Sequence, residues 1–293
     1  IQQEINDELE TQNLELESQN TQLGQQNEEI STQKELLEKH NKLISENITY
    51  ASTILNALRN VDPNPPFKEN FILELPKDIV SGDFFWSQRV NGKFVFTLAD
   101  STGHGVPGAL MSLLGIRLIS KVITDNFSKN QDIRPAYILN QLRDFIKKQL
   151  TEENEAIKDG FDLSFCIYDQ NTKILDFAGA YNSILIIRNQ EVIELKGDRM
   201  PIGSYISEFE KPFENKSIKL EENDLIYLFT DGYIDQFGGD NFTKFYMTNF
   251  RKLLLQISQL NMQEQFNILI DTFEKWKNKN IQLDDVSVVG FRV

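Results

Sequence analysis

The chain has 293 residues, with 44 Asp and Glu against 30 Lys and Arg and a net charge of −14. An acidic balance without a basic stripe argues against nucleic acid or an anionic membrane surface as a partner. The length allows one large domain, or one domain plus an accessory segment. Cys166 stands alone, which excludes an internal disulfide and a zinc-type cysteine cluster and makes the cytoplasm the expected compartment.

The first residue, Ile1, is not an initiator methionine, so the sequence is expected to be a piece of a longer protein with a further N-terminal part. Residues 1–58 contain no proline and one glycine, Gly24, and the first 47 carry eleven Asp/Glu against three Lys. Leu9, Leu16, Leu23, Ile30, Leu37 and Ile44 recur every seven residues without a gap. Four residues on from these come Asn13, Asn20, Asn27, Lys34, Asn41 and Ile48. With the first series as d and the second as a, this is a coiled coil with asparagine at nearly every a position. Buried asparagine there selects a parallel dimer in fixed register at a cost in stability. Ala51, Leu55 and Leu58 extend the seam, so the helix is expected to stop only at Asp62-Pro63-Asn64-Pro65-Pro66. The expected division is therefore a dimerisation and signalling helix over 1–62 and a globular domain over 67–293.

Beyond Phe67, short apolar runs predict strands at 71–75, 84–90, 93–99, 161–168, 174–178, 183–188, 191–195, 225–230 and 286–292. Helical periodicity falls at 106–125, 134–150, 243–258 and 262–277. Strand groups separated by pairs of helices predict an α+β fold with mainly antiparallel sheets. The most apolar helical stretch, 109–123, holds Arg117 and Lys121 and reads as too short to span a bilayer. Cys166, Trp86, Phe84 and Phe85 read as core residues.

Acids stand at the ends of these strands. The run KFVFTLAD closes on Asp100 and is followed by a loop broken by Gly103, Gly105 and Gly108. LIYLFTDG closes on Asp231, while LDDVSVVGFRV opens with Asp284 and Asp285. Asn91-Gly92 is the signature of a two-residue hairpin turn, and that turn places Asp83 opposite Asp100. Facing carboxylates repel and resist ionising together, a conflict that a divalent cation resolves. Neighbouring antiparallel strands put the end of one beside the start of the next, so Asp83, Asp100, Asp231 and Asp284 are expected to meet at one rim. Oxygen ligands without a histidine cluster suit Mg²⁺ or Mn²⁺ rather than zinc, and the rim points to an enzyme. His104, between two glycines, reads either as a general acid or as a structural hydrogen-bonding residue.

Several segments together resemble the SpoIIE-type (RsbU-like) serine/threonine phosphatases of the metal-dependent protein phosphatase 2C superfamily. They are DIVSGDFFW (78–86), ADSTGHGVPGALMSLLG (99–115), Ala178-Gly179-Ala180-Tyr181-Asn182, MPIG (200–203), FTDGYIDQFGG (229–239) and LDDVSVVG (283–290). The resemblance spans about residues 44–293. It implies an α/β/β/α sandwich of two antiparallel sheets flanked by helices, with two Mn²⁺ or Mg²⁺ ions. It assigns Asp100 as the acid shared by both ions, with the backbone carbonyl of Ser101, Asp231, Asp284 and Asp83 as further ligands and Asp285 as the less favoured member of its pair. It also implies a phosphorylated regulatory protein of the anti-sigma-factor-antagonist type as substrate. Ala180 stands where many relatives carry histidine, so no role transfers there, and no arginine among Arg59, Arg89 and Arg117 is assignable as a phosphate clamp. Two other readings compete: a sensor histidine kinase-like ATP-binding protein using His40, and a catalytically inactive dimeric scaffold. Against the kinase, Asp100 to Gly105 is one residue too long for a nucleotide-binding Asp-x-Gly-x-Gly loop.

Overall fold

The computed structural model describes residues 1–127, 133–150, 159–203 and 210–293. By its contacts the chain divides into two units, Ile1–Tyr50 and Ala51–Val293. The first unit is helical, as its unbroken heptads demand. It forms most of α1 (Gln2–Leu58), along which the d residues Leu9, Leu16, Leu23, Ile30, Leu37 and Ile44 are all more than half exposed.

The helix ends at Leu58, short of Pro63. Residues 59–62 leave the helix because the sheet offers them better partners. The Ser87 N–H donates to the Asn60 carbonyl at 2.8 Å, and the Asp62 N–H donates to the Ser87 hydroxyl at 2.9 Å. An otherwise open strand edge is thereby covered. Arg89 completes the seal with an ion pair to Asp62 at 3.0 Å.

The second unit continues with β1 (Glu69–Leu75), β2 (Phe84–Val90), β3 (Lys93–Ser101), α2 (Gly105–Phe127), α3 (Pro135–Leu150), β4 (Gly160–Asp169) and β5 (Ile174–Ala180). Next come β6 (Ile184–Arg188), β7 (Glu191–Leu195), β8 (Ile202–Gly203), β9 (Lys216–Lys219), β10 (Leu225–Phe229) and α4 (Asp231–Asp235). It closes with β11 (Phe237–Gly238), β12 (Thr243–Lys244), α5 (Tyr246–Ile257), α6 (Met262–Lys277) and β13 (Val286–Arg292). One sheet runs β1-β13-β10-β6-β7 and the other β2-β3-β4-β5-β9, with β8 on β4, and all of these strand pairs are antiparallel. The Asn91-Gly92 turn sets the expected register, Val90 opposite Lys93 and Phe84 opposite Ala99.

Both sheets are buried on both faces, which is why their strands read as near-continuous apolar runs. Between them lie Phe85, Phe94, Phe96, Leu98, Phe177 and Phe291, with Cys166 among them. Burial pushes the Cys166 thiol well above its ordinary value and keeps it protonated. The outer face of one sheet, with Phe84, Trp86 and Phe165, packs on α2 and α3. The outer face of the other, with Leu73, Tyr227 and Val288, packs on α5 and α6. The result is the expected α/β/β/α sandwich.

Two helices differ from expectation. At 23 residues, α2 is long and apolar enough to cross a membrane by length and composition, but half of its apolar window is buried against the protein, so it is a core helix. The last predicted helix but one begins at Tyr246 rather than 243, because Thr243 and Lys244 pair with Phe237 and Gly238 in a short ribbon. The sequence pattern also missed β8, β9 and α4, which are too short to display a period.

Helix α6 begins with a capping box: the Glu264 N–H donates to the Asn261 side chain at 2.9 Å, and the Asn261 N–H donates to the Glu264 carboxylate at 3.1 Å. Asn261→Ala is expected to lower the unfolding free energy by about 1 kcal/mol, read by urea denaturation, while leaving hydrolytic activity intact.

Candidate active site

Five aspartates gather at one end of the two sheets, each placed by a strand terminus. In one sheet Asp83 immediately precedes β2, Asp100 closes β3, and Asp162 opens β4 directly opposite Asp100. In the other, Asp231 follows β10 and Asp284 precedes the neighbouring strand β13. Phe84 pairs with Ala99, the register expected from the hairpin, which sets Asp83 and Asp100 at the next position along, and the charges of Asp83, Asp231, Asp284 and Asp162 all act on Asp100. Asp162 was not anticipated. Its signal was present but weak: an acid at the start of an alternating run, as at Asp284, with its partner 62 residues away in sequence.

The electrostatics of this cluster are unfavourable as they stand. Burial, followed by the charges of Asp83, Asp231, Asp284 and Asp162, raises the Asp100 carboxyl well above the carboxylate range. Burial pushes Asp83 up to about 8 against the pull of the Ser287 and Thr230 hydroxyls, and Asp285 and Asp284 add to the rise. Asp162 rises to about 7 through burial and then Asp231. Asp231 is raised by burial, Asp284 and Asp235, and is partly offset by Lys244, whose ammonium sits 2.8 Å from Asp235. Among the described residues, Asp83 Oδ1 is buried without a hydrogen-bond partner.

A buried, unpartnered carboxylate oxygen among four other acids is a donor set that fits a hard divalent cation. Among the described residues, no three acidic, histidine or cysteine side chains stand close enough together to enclose a metal ion by themselves. Octahedral Mg²⁺-type ions keep several waters and take only one or two carboxylates each. A spread set of aspartates therefore suits such ions better than a closed cage would.

The remaining residues of the site hold these acids in place. The Thr230 hydroxyl donates to Asp83 Oδ2 at 2.7 Å and accepts from the Ser287 N–H at 3.0 Å. Asp285 is buried and accepts from the Lys77 N–H at 2.7 Å and the Gly82 N–H at 2.6 Å. Both of its oxygens are thus engaged in bracing the loop that delivers Asp83. Arg59 completes the brace, pairing with Glu74 at 2.6 Å and donating to the Asp83 carbonyl at 3.3 Å.

Ser101 is buried, and its hydroxyl lies 2.9 Å from both the Gly82 and Gly108 carbonyls. The Ser112 hydroxyl reaches the same two carbonyls. These contacts tie the loop before β2 to the loop after β3, so the Ser101 side chain has a job of its own. Two glycines make the approach possible. Gly103 turns at φ 86°, and a Cβ on Gly108 would come within 2.2 Å of the Gly103 carbonyl.

His104 Nδ1 lies 2.9 Å from Asp78 Oδ2, and both side chains are about half exposed. Arg59 and Arg89 are committed to Glu74 and Asp62, and Arg117 is exposed on α2. Ala180 is fully buried in the core opposite Leu163.

The profile of the family Stage II sporulation protein E (SpoIIE) matches residues 91–293. No curated protein sequence matches the chain. Among solved structures, the SiaA-PP2C domain of Pseudomonas aeruginosa is similar at 29% identity and a TM-score of 0.75, over 86% of this chain and 98% of that one. The PP2C phosphatase domain with a regulatory fragment of the cell fate determinant SpoIIE from Bacillus subtilis aligns at 19% identity and a TM-score of 0.61, over 77% and 63% of the two chains. RsbX in complex with magnesium shares the fold at 12% identity and a TM-score of 0.53, over 76% and 94%. These matches leave no place for the histidine kinase reading. The chain belongs to the SpoIIE family and is a metal-dependent serine/threonine protein phosphatase of the PP2C type.

Proposed function

We propose that the rim holds two Mn²⁺ or Mg²⁺ ions and hydrolyses phosphoserine or phosphothreonine on a regulatory protein of the anti-sigma-factor-antagonist type. The observation that carries this reading is the set of five mutually repelling aspartates with the unpartnered Asp83 Oδ1 among them. Asp83, Asp100, Asp231 and Asp284, with the Ser101 carbonyl, would hold the ions, and Asp162 joins them as a candidate. When bound, the ions supply an activated water at neutral pH and neutralise the phosphoryl oxygens. The chain's own residues fix that arrangement: Thr230 orients Asp83, and Asp285 and Arg59 hold its backbone. His104, fixed at Nδ1 by Asp78, keeps Nε2 for a proton to the leaving hydroxyl. The buried, protonated Cys166 is out of reach as a nucleophile, consistent with direct attack by water. A lone reduced cysteine also suits the cytoplasm.

In the same proposal, residues 1–62 form a parallel homodimeric relay to the catalytic domain of 67–293. The exposed d residues along α1 support it, and asparagines at a leave little preference for one rigid packing, which suits an element that switches.

Asp100→Ala or Asp231→Ala should reduce Mn²⁺-dependent release of phosphate from a phosphoserine peptide to background while circular dichroism shows an intact fold. Asp285→Asn, which disturbs only the brace, should cost about 10–100-fold. Wild-type turnover by either alanine variant would remove the assignment, and hydrolysis of phosphotyrosine peptides alone would remove the substrate class.

The raised carboxyls also set a pH dependence. Asp83 moves from 3.8 to about 8 and Asp162 from 3.8 to about 7 on folding, so between those values the folded state binds more protons than the unfolded one. Metal-free stability therefore falls as pH rises from about 4 to about 8. In chelator, Tm should be lower at pH 8 than at pH 5.5, and Mn²⁺ should raise it more at pH 8. Asp83→Asn should raise the metal-free Tm at pH 8 and shrink the response to Mn²⁺. A metal-free Tm that climbs with pH would contradict the cluster.

Replacing Asn20, Asn27 and Asn41 by Ile should raise the melting temperature of the dimer and hold activity at one level, high or low. Deleting residues 1–43 should leave a folded domain that sediments as a monomer with altered basal activity. An unchanged oligomeric state and specific activity would make α1 a passive tether.

A further inference from the structure

The turn between β5 and β6 is built at a conformational cost. Tyr181 sits at φ 55°, a left-handed geometry that aromatic residues avoid. It is pinned there from several sides. The Tyr181 N–H donates to the Asp198 carbonyl at 2.7 Å, and the Asp198 N–H donates to the Gly179 carbonyl at 2.8 Å. Gly179 and Gly197 crowd the Asn182 carbonyl so closely that an added Cβ would come within 2.2 Å and 2.6 Å of it. Strain that the surroundings enforce so firmly, on a ring left 44% exposed, is a mark of use.

Tyr181 lines a cavity of about 320 Å³ that opens on the rim itself, because Asp162 and Asp231 form part of the same lining. Its apolar wall is made by Tyr181, Phe229, Ile234 and Met247. Asn182 also lines it, and the Asn182 Nδ2 is buried with no hydrogen-bond partner among the described residues. An unpartnered buried donor is costly unless a ligand supplies the acceptor.

We propose that this cavity is a substrate subsite that takes a large apolar side chain of the residue flanking the phosphoserine or phosphothreonine, while the Asn182 amide donates to a main-chain carbonyl of the same peptide. The proposal rests on the phosphatase reading of the rim. The lining selects the occupant. Among the described residues no lysine or arginine lines the cavity, so nothing there pairs with an acidic flanking residue or a second phosphate. A polar side chain would leave the apolar wall unsatisfied. Phe229 is fixed by its tilted contact with the Phe250 ring, 5.2 Å between centroids, which gives the wall a rigid floor. Met247 at its edge is a flexible, polarizable filler that adapts to different apolar shapes.

The test uses the full chain with Mn²⁺ and phosphoserine peptides that differ only at the flanking residues, carrying Leu, Ala, Glu or Arg. The Leu peptides should exceed the Ala peptides in kcat/KM by about tenfold or more, and the Glu and Arg peptides should fall below the Leu peptides. In Tyr181→Gly, which keeps the backbone geometry, and in Met247→Ser, the Leu-to-Ala ratio should fall toward one while the Tm increase produced by Mn²⁺ persists. A wild-type ratio near one, a preference for Arg or Glu, or an unchanged ratio in both variants overturns the subsite but leaves the phosphatase reading standing. Hydrolysis of none of the peptides overturns both.

Discussion

The organising constraint of this structure is the repulsion among aspartates that two sheets force together at one end. Each acid lies at or just beyond the end of a buried strand, which fixes where it meets the others. Asp100 feels four others at once and is itself buried. In water, such a group would disperse; inside a sandwich it resists ionising, and among the described residues Asp83 Oδ1 has no hydrogen-bond partner although Thr230 donates to Oδ2. The cluster is therefore a stored electrostatic demand for cations. The fold is the device that keeps that demand unmet until ions arrive.

Holding the acids requires a surrounding frame of uncharged contacts and one extra carboxylate. Asp285 spends both oxygens on the backbone of the loop that carries Asp83. Ser101 and Ser112 tie that loop to the one after Asp100, and the close approach of Gly108 to Gly103 makes the tie possible. Adjacent aspartates thus have different fates. Asp284 contributes its charge to the rim, and Asp285 contributes geometry. The guanidinium of Arg59, just past the end of α1, reaches the Asp83 carbonyl from the opposite side of that loop.

The same economy appears where the rim meets the β5–β6 turn. Strain at Tyr181, close packing at Gly179 and Gly197, and the unpaired Asn182 amide lie side by side with Asp162 and Asp231. Chemistry and recognition share a wall there. Phe229, Ile234 and Met247 make one wall of that cavity apolar, and Asp162 and Asp231 make the other charged.

The sequence by itself determined the longer strands, the β2–β3 hairpin register, the helical heptads and four of the five rim acids. These are local properties: a period of two or seven, a two-residue turn and an acid at the end of an apolar run are each legible within about ten residues. It did not disclose Asp162, whose place at the rim depends on β4 lying against β3, with Asp100 opposite. Only the family resemblance ranked Asp285 below Asp284; its bracing role is defined by the N–H groups of Lys77 and Gly82, more than 200 residues earlier. The helix end at Leu58 was likewise decided by the edge of β2, which offered hydrogen bonds to Asn60 and Asp62 before Pro63 was reached. Periodicity specifies which elements form, but the partners of a buried polar group come from elsewhere in the chain, and only packing brings them into contact.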